Sequence, residues 1–215
     1  MSEEMVVIVA GGEAPPPDAA LEVPPGASVV AADGGVDHAR ALGLEVTLAI
    51  GDFDSVSPGG VDAAAAEGAR VERHPAAKDS TDLELALDAA LDLEPARILV
   101  LAGVGERLDH LAAALLLLGS AHYVGVELDA RIGNARLHVV RDRRTLHGEP
   151  GELVSLLALH GPADGVRTEG LLYPLAGETL EAGSSRGVSN LFAAAAATIS
   201  LERGTLLAVR PGGAT

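Results

Sequence analysis

Over the first 140 positions, apolar residues gather into short runs separated by stretches of helical spacing. Continuous runs of strand length are MVVIVA (5–10), SVVAA (28–32), TLAI (47–50) and RILVLA (97–102), with ARVERHP (69–75) a weaker one. Between them, residues 36–42, 61–67, 81–93 and 109–118 carry helical patterns. The stretch from Thr81 to Leu93 is the clearest. Leu83, Ala86, Leu87, Ala90 and Leu91 share one face, and Asp82, Glu84, Asp88 and Asp92 lie largely off it. Strands that are apolar throughout, rather than alternately, are covered on both faces, as in a parallel sheet with crossover helices. YVGVELDA (123–130) reads as one more strand.

From about residue 140 the texture changes. Short extended pieces recur at ELVSLLAL (152–159), GVRTEG (165–170), ETLEAG (178–183), AATIS (196–200) and TLLAVR (205–210), punctuated by Gly, Pro, Ser and Asp. That spacing predicts an antiparallel β unit, a small sandwich or roll. The alanine run Ala193–Ala197 is drawn into it by Thr198, Ile199 and the strand that follows. The expected organisation is therefore an α/β domain over 1–140 and a β domain over 141–215. Pro15–Pro17 and Pro24–Pro25 bracket a surface loop rather than a linker.

Composition narrows the function. The 215 residues carry a net charge of −16 and no cysteine. Residues 1–140 account for −15 of it and the remainder for −1. Cysteine-based chemistry is excluded, and duplex nucleic-acid binding, which needs a basic footprint, is not expected. The longest apolar run, Leu111–Ala121, is broken by Gly119 and Ser120, and a membrane helix needs about 20 residues. The start, MSEE, lacks the basic opening of a signal peptide. A cytoplasmic protein is expected. Lys78 is the only lysine among 15 basic residues, and there is no tryptophan.

Four polar clusters follow four successive strand runs: Asp33-Gly34-Gly35, Gly51-Asp52-Phe53-Asp54-Ser55, Lys78-Asp79-Ser80-Thr81-Asp82, and Gly103 to His110. In a parallel sheet all four reach the carboxyl edge, where open α/β sheets bind ligands. Each has a plain reading as well. Asp-Gly is a turn pair, Asp52 and Asp54 can be solvated surface charge, and Thr81 with Glu84 forms a capping box. Asp82 and Asp109 are acids in first helical turns, and His110 reads as a packed or capping residue. Against that, two carboxylates one residue apart at a strand end suit a hard divalent cation. Neither G-x-G-x-x-G nor G-x-x-x-x-G-K-[ST] is present. A nucleotide would need carboxylate-held Mg²⁺, with Lys78 and Arg107 as phosphate partners.

In this order and spacing, the four clusters resemble the thiamine pyrophosphokinase family, and GVRTEGLLYPLAGETLEAGSSRGVSN (165–190) is similar to that family's thiamine-binding domain. The resemblance covers nearly the whole chain. It implies an N-terminal α/β nucleotide domain, a C-terminal antiparallel β-sandwich, and transfer of pyrophosphate from ATP to thiamine with release of AMP. It implies Mg²⁺ held by Asp52, Asp54 and Asp82, and Asp33 beside the metal and the acceptor hydroxyl. Lys78, Thr81, Arg107 and Asp109 complete the phosphate and nucleotide site. Ser189 and Asn190 would contact thiamine, in a homodimer whose active sites use both subunits. Two features depart from the family pattern. Gly105-Glu106-Arg107 stands where Gly-Gly-Arg is usual, and no tryptophan is available to cover thiamine, which leaves an aliphatic surface or Tyr173. The competing readings are a pyrophosphokinase for another alcohol such as a hydroxymethylpterin, a non-catalytic thiamine or nucleotide regulator, and a nucleoside triphosphate hydrolase.

Overall fold

The computed structural model describes residues 5–212. The chain packs as two compact units. The first runs to Ala114 and adds Gly125–Gly133; the second takes Leu115–Val124 and everything from Asn134.

In the first unit six strands lie parallel: β1 (Met5–Val9), β2 (Ser28–Ala32), β3 (Leu48–Gly51), β4 (Arg70–Arg73), β5 (Arg97–Ala102) and β6 (Glu127–Ile132). Their order is β6-β5-β1-β2-β3-β4, so the winding reverses between β1 and β5. The apolar runs become the central strands as expected, and Val7, Ile8, Val9 and Val30 are fully buried. β4 sits at the edge, which explains its charged sequence and weak apolar signal. The helices are α1 (Gly35–Ala41), α2 (Gly60–Ala66), α3 (Asp82–Leu91) and α4 (Leu108–Leu118). In α3 the expected face is inward: Ala86, Leu87 and Ala90 are fully buried and the helix packs over β1, β2 and β3. A leucine such as Leu87 gains roughly 1.5–3 kcal/mol from that burial. Thr81 caps the helix by accepting the Glu84 N–H at 3.2 Å. No helix among the described residues is long and apolar enough to cross a membrane.

One strand expected from the sequence is displaced. Residues 121–123 form a 3-10 turn with Tyr123 buried, and β6 begins only at Glu127, after Gly125 has taken φ +109°. The backbone turns where the apolar string YVGV continues.

The second unit is antiparallel. One layer has the order β12 (Asn190–Leu191), β9 (Leu153–Ala158), β14 (Leu206–Arg210), β7 (Ala135–Val140). The other has the order β11 (Ala176–Leu180), β10 (Ala163–Glu169), β13 (Ala196–Ser200), β8 (Arg143–His147). Val154, Leu156, Leu206 and Ala208 of one layer share a core with Val166, Leu180, Ala197 and Ile199 of the other, which makes the unit a β-sandwich. The alanine run is not helical; it ends in β13. β7, β8 and the two-residue β12 are additional to the expected strands, and β11 starts two residues earlier than the sequence suggests.

Candidate active site

The loops after β1, β2, β3 and β5, with the start of α3, line one cleft of about 560 Å³. It contains Asp33, Asp52, Asp54, Thr81, Asp82, Arg107 and His110. The chain direction of the parallel sheet delivers these loops to one edge, as the sequence implied.

Within the cleft, Asp33, Asp52 and Asp82 converge. One carboxylate oxygen of each lies within 4.8 Å of the others. Asp33 Oδ2 accepts a short hydrogen bond from Ser55 Oγ. Asp33 Oδ1 is buried and receives no hydrogen bond, and neither does Asp82 Oδ1, although Lys78 Nζ stands 3.0 Å from the latter. Lys78 Nζ also lies 3.8 Å from Asp52 Oδ2. Burial disfavours its ammonium, but Asp82, Asp52 and Asp33 outweigh that and hold its pKa above the usual lysine value.

Tight backbone geometry produces this convergence. Asp33 and Phe53 adopt left-handed φ of +48° and +63°. A left-handed residue costs roughly 1–2 kcal/mol. At Phe53 the side chain offsets that cost: its ring is buried in the cluster with Val36, Ala49, Val61 and Ala64, and the Arg73 guanidinium lies 5.1 Å from the ring centroid. Gly51 takes φ +146°, and a Cβ there would lie 3.0 Å from Asp82 Oδ1 and 3.2 Å from Asp33 Cα. The carboxylates close in because position 51 has no side chain.

Asp54 lines the cleft beside the trio and is exposed; its N–H donates to Asp52 Oδ1 at 3.3 Å. Its carboxyl is pushed above the ordinary range, first by Asp52 and then by Asp33. Arg107 and Asp109 form an exposed two-pronged pair of 2.9 and 2.7 Å at the start of α4. The pair holds the Asp109 carboxyl well below the usual carboxylate range.

Ser189 and Asn190 belong to the second unit. Ser189 is exposed with φ +59°, and its N–H donates to Ser155 Oγ at 3.0 Å. Asn190 is buried. Its Oδ1 accepts from the N–H of Tyr173 at 3.0 Å and of Leu191 at 2.9 Å, while its Nδ2 donates to the Tyr173 carbonyl at 2.7 Å. Tyr173 itself is 57% exposed. Sequence reasoning quoted Ser55 only as part of a cluster; its partnership with Asp33, 22 residues away, has no local signal. The stacking of Arg73 on Phe53, 20 residues apart, has no local signal either.

Carboxylates and one lysine gathered at the carboxyl edge of a parallel sheet, in a chain that continues into a β-sandwich, form a site of the kind that takes a phosphate group with its cation. The family models supply the class. The model described as "Thiamin pyrophosphokinase, catalytic domain" matches residues 26–128, and "Thiamin pyrophosphokinase, vitamin B1 binding domain" matches 136–206. The chain belongs to the thiamine pyrophosphokinase family. It is 28% identical over 197 residues to thiamine pyrophosphokinase of Bacillus subtilis (strain 168), covering 82% of this chain and 85% of that one. Among solved structures, thiamine pyrophosphokinase from Bacillus subtilis superposes with a TM-score of 0.85 at 25% identity, over 98% of this chain and 100% of that one. The enzyme from Geobacillus thermodenitrificans gives 0.82 at 25% identity, over 98% and 99%.

Proposed function

We propose that this chain moves the pyrophosphate of ATP onto the hydroxyethyl oxygen of thiamine, giving thiamine diphosphate and AMP. The observation that carries the reading is the convergence of Asp33, Asp52 and Asp82 beside Lys78, in a chain matched by both a catalytic and a vitamin B1 binding model. Three convergent carboxylate oxygens, with the buried Asp33 Oδ1 receiving no hydrogen bond, suit a hard divalent cation. We assign Mg²⁺ to Asp33, Asp52 and Asp82, with Asp54 adjoining. Bound there, it would neutralise charge on the phosphates.

The chain's own groups do the rest by positioning and charge. The thiamine oxygen attacks the β-phosphorus. The bond from that phosphorus to the oxygen it shares with the α-phosphate breaks, and AMP leaves with that oxygen. Asp33 would lie beside the acceptor hydroxyl as well as the ion, and the hydroxyl proton is lost to solvent as the oxygen attacks. Lys78, held by Asp82 and Asp52, offers its ammonium to the phosphates. Thr81, its oxygen already accepting from Glu84, keeps a hydroxyl proton to donate. Arg107, oriented by Asp109, closes the nucleotide end. Ser189 and Asn190 serve the thiamine side, the latter by fixing Tyr173.

The proposal places this enzyme in the cytoplasm and makes it a homodimer. Support for the dimer comes from α4, where eleven residues include nine apolar ones and only Leu118 is buried; Leu108 is 75% and Leu116 52% exposed. Such a face is suited to a second copy. The activity is tested by mixing ATP, Mg²⁺ and thiamine and following AMP. AMP that needs thiamine is the expected result. AMP without an acceptor would indicate a hydrolase, AMP only with another alcohol a different pyrophosphokinase, and none at all a regulator.

A further inference from the structure

The connection from β1 to β2 is unusual for a parallel sheet. Residues 10–27 make the crossover without an α-helix; their only regular piece is a 3-10 turn, Pro17–Glu22. Loops of that length inside a compact unit are uncommon and most often functional. This one is firmly held. Ala19 is fully buried in the core formed by Val7, Val29 and Leu99. Arg131, at the carboxyl end of β6 and only 4% exposed, donates to Glu22 Oε1 and to Asp18 Oδ1, each at 2.8 Å, and to the Gly133 carbonyl at 3.3 Å. The foot of the loop is pinned as well. The Glu13 carbonyl accepts from the Gly103 N–H at 3.0 Å, and a Cβ at Gly103 would lie 2.5 Å from that same oxygen.

The pinned foot lies where the winding of the sheet reverses, between β1 and β5. Gly11, Gly12 and Glu13 from one side and Gly103, Val104 and Gly105 from the other line the cleft there. Open α/β sheets take their ligands at that crevice. A buried guanidinium with two carboxylates is a poor device for stability alone, since an apolar side chain of similar size serves as well or better. Its directional bonds do something an apolar contact does not: they fix where the loop lies.

We propose that residues 11–26 are a strap whose foot, Gly11–Glu13, forms part of the nucleotide wall of the cleft, and that Arg131 is the positioning residue that holds the strap in place. Resting on the ATP-dependent reading above, this assigns a task to Arg131 and to a segment that, up to residue 25, lies outside both family-model matches. Arg131 does not line the cleft and acts through the strap. The wall starts beside Asp33, where a Cβ at Gly11 would lie 3.7 Å from Asp33 Cβ, and continues through Glu13 to Gly103–Gly105.

The test is Arg131→Met, with Asp18→Asn as a milder partner that keeps the Glu22 contact. Both carboxylates retain access to water, Asp18 at 61% and Glu22 at 26% exposure, so neither is stranded by loss of the arginine. For Arg131→Met the expected result is an ATP KM raised about tenfold, with kcat and thiamine KM within about twofold. Amide hydrogen exchange over residues 18–26 should quicken, and Mg²⁺ alone should still stabilise the protein as it does wild type. Asp18→Asn should shift ATP KM and exchange the same way by less, and it decides the matter if Arg131→Met does not fold. An unchanged ATP KM with unchanged exchange, or a parallel fall in every kinetic parameter, would overturn the proposal. Wild type runs alongside. If it makes no AMP with thiamine, the activity is wrong, while calorimetric affinity for Mg²⁺·ATP still reads the strap.

Discussion

Lys78 Nζ sits 3.0 Å from Asp82 Oδ1, four residues on, so the chain's only lysine is tethered to one of the carboxylates assigned to the metal. A phosphate arriving at that metal meets an ammonium already in place. Apart from the chain's α-amino group, Lys78 is the sole amine available to acylating reagents. Mg²⁺·ATP should slow its modification, followed by mass spectrometry, and Lys78→Ala should cost about 10²-fold or more in kcat, the scale seen when one donor to a developing negative charge is removed. Equal modification rates with and without nucleotide would place Lys78 away from the phosphates.

Asn190→Ala should be costly in a specific way. It strips hydrogen bonds from both the N–H and the carbonyl of Tyr173. Unpaired buried groups cost about 1–3 kcal/mol, to be read by chemical denaturation. On the proposed reading, which puts Tyr173 on the thiamine side, the thiamine KM should rise while the ATP KM holds. A variant of wild-type stability and thiamine KM would remove Asn190 from that role.

How much of this the sequence disclosed depended on whether a feature was local. RILVLA announces β5 because its four central residues are apolar and all buried, whereas RRTLH conceals β8, in which Leu146 is the only buried residue. The polar clusters were legible because each directly follows a strand and chain direction alone sends them to one edge. Which carboxylates converge was not legible. Asp33, Asp52, Asp54 and Asp82 are equivalent on paper, and the grouping of Asp33 with Asp52 and Asp82 arises from left-handed turns at Asp33 and Phe53 and the bare position at Gly51. The Arg131–Glu22 contact spans 109 residues and leaves no local trace.

Phe53 links the core to the carboxylates. Phe53→Ala should cost about 3–5 kcal/mol through the cavity it leaves. Phe53→Leu, which keeps an apolar anchor and leaves a smaller cavity, should cost less than Phe53→Ala. In both, the loss of Mn²⁺ affinity, measured by electron paramagnetic resonance, should follow the loss of anchoring. Full Mn²⁺ affinity in the alanine variant would show that the turn holds itself.

Asp54 gives a pH-dependent prediction. Its carboxyl pKa is raised above the ordinary value of 3.8 in the folded protein, chiefly by Asp52. The folded state therefore binds this proton more tightly than the unfolded chain, and ionising Asp54 opposes folding. That opposition is absent below the ordinary value and complete above the raised one. Asp54→Asn should raise the Tm of the metal-free protein at pH 7, and the gain should vanish as the pH falls towards 3.8. A gain that persists or grows on acidification would contradict the assigned repulsion.

The central claim is that Asp33, Asp52 and Asp82 hold the ion that makes pyrophosphate transfer possible. Asp52→Asn changes one of those ligands with almost no change of shape. Thermal unfolding of wild type and variant, in EDTA and with Mg²⁺·ATP, beside thiamine-dependent AMP formation, tests it. A ligand stabilises only through binding to the native state, and saturation at about 100 times Kd is worth about 2.7 kcal/mol. The variant should melt no lower than wild type in EDTA, lose most of the Mg²⁺·ATP-induced rise in Tm, and lose most AMP formation. A variant that keeps both the full rise and full activity would contradict the account.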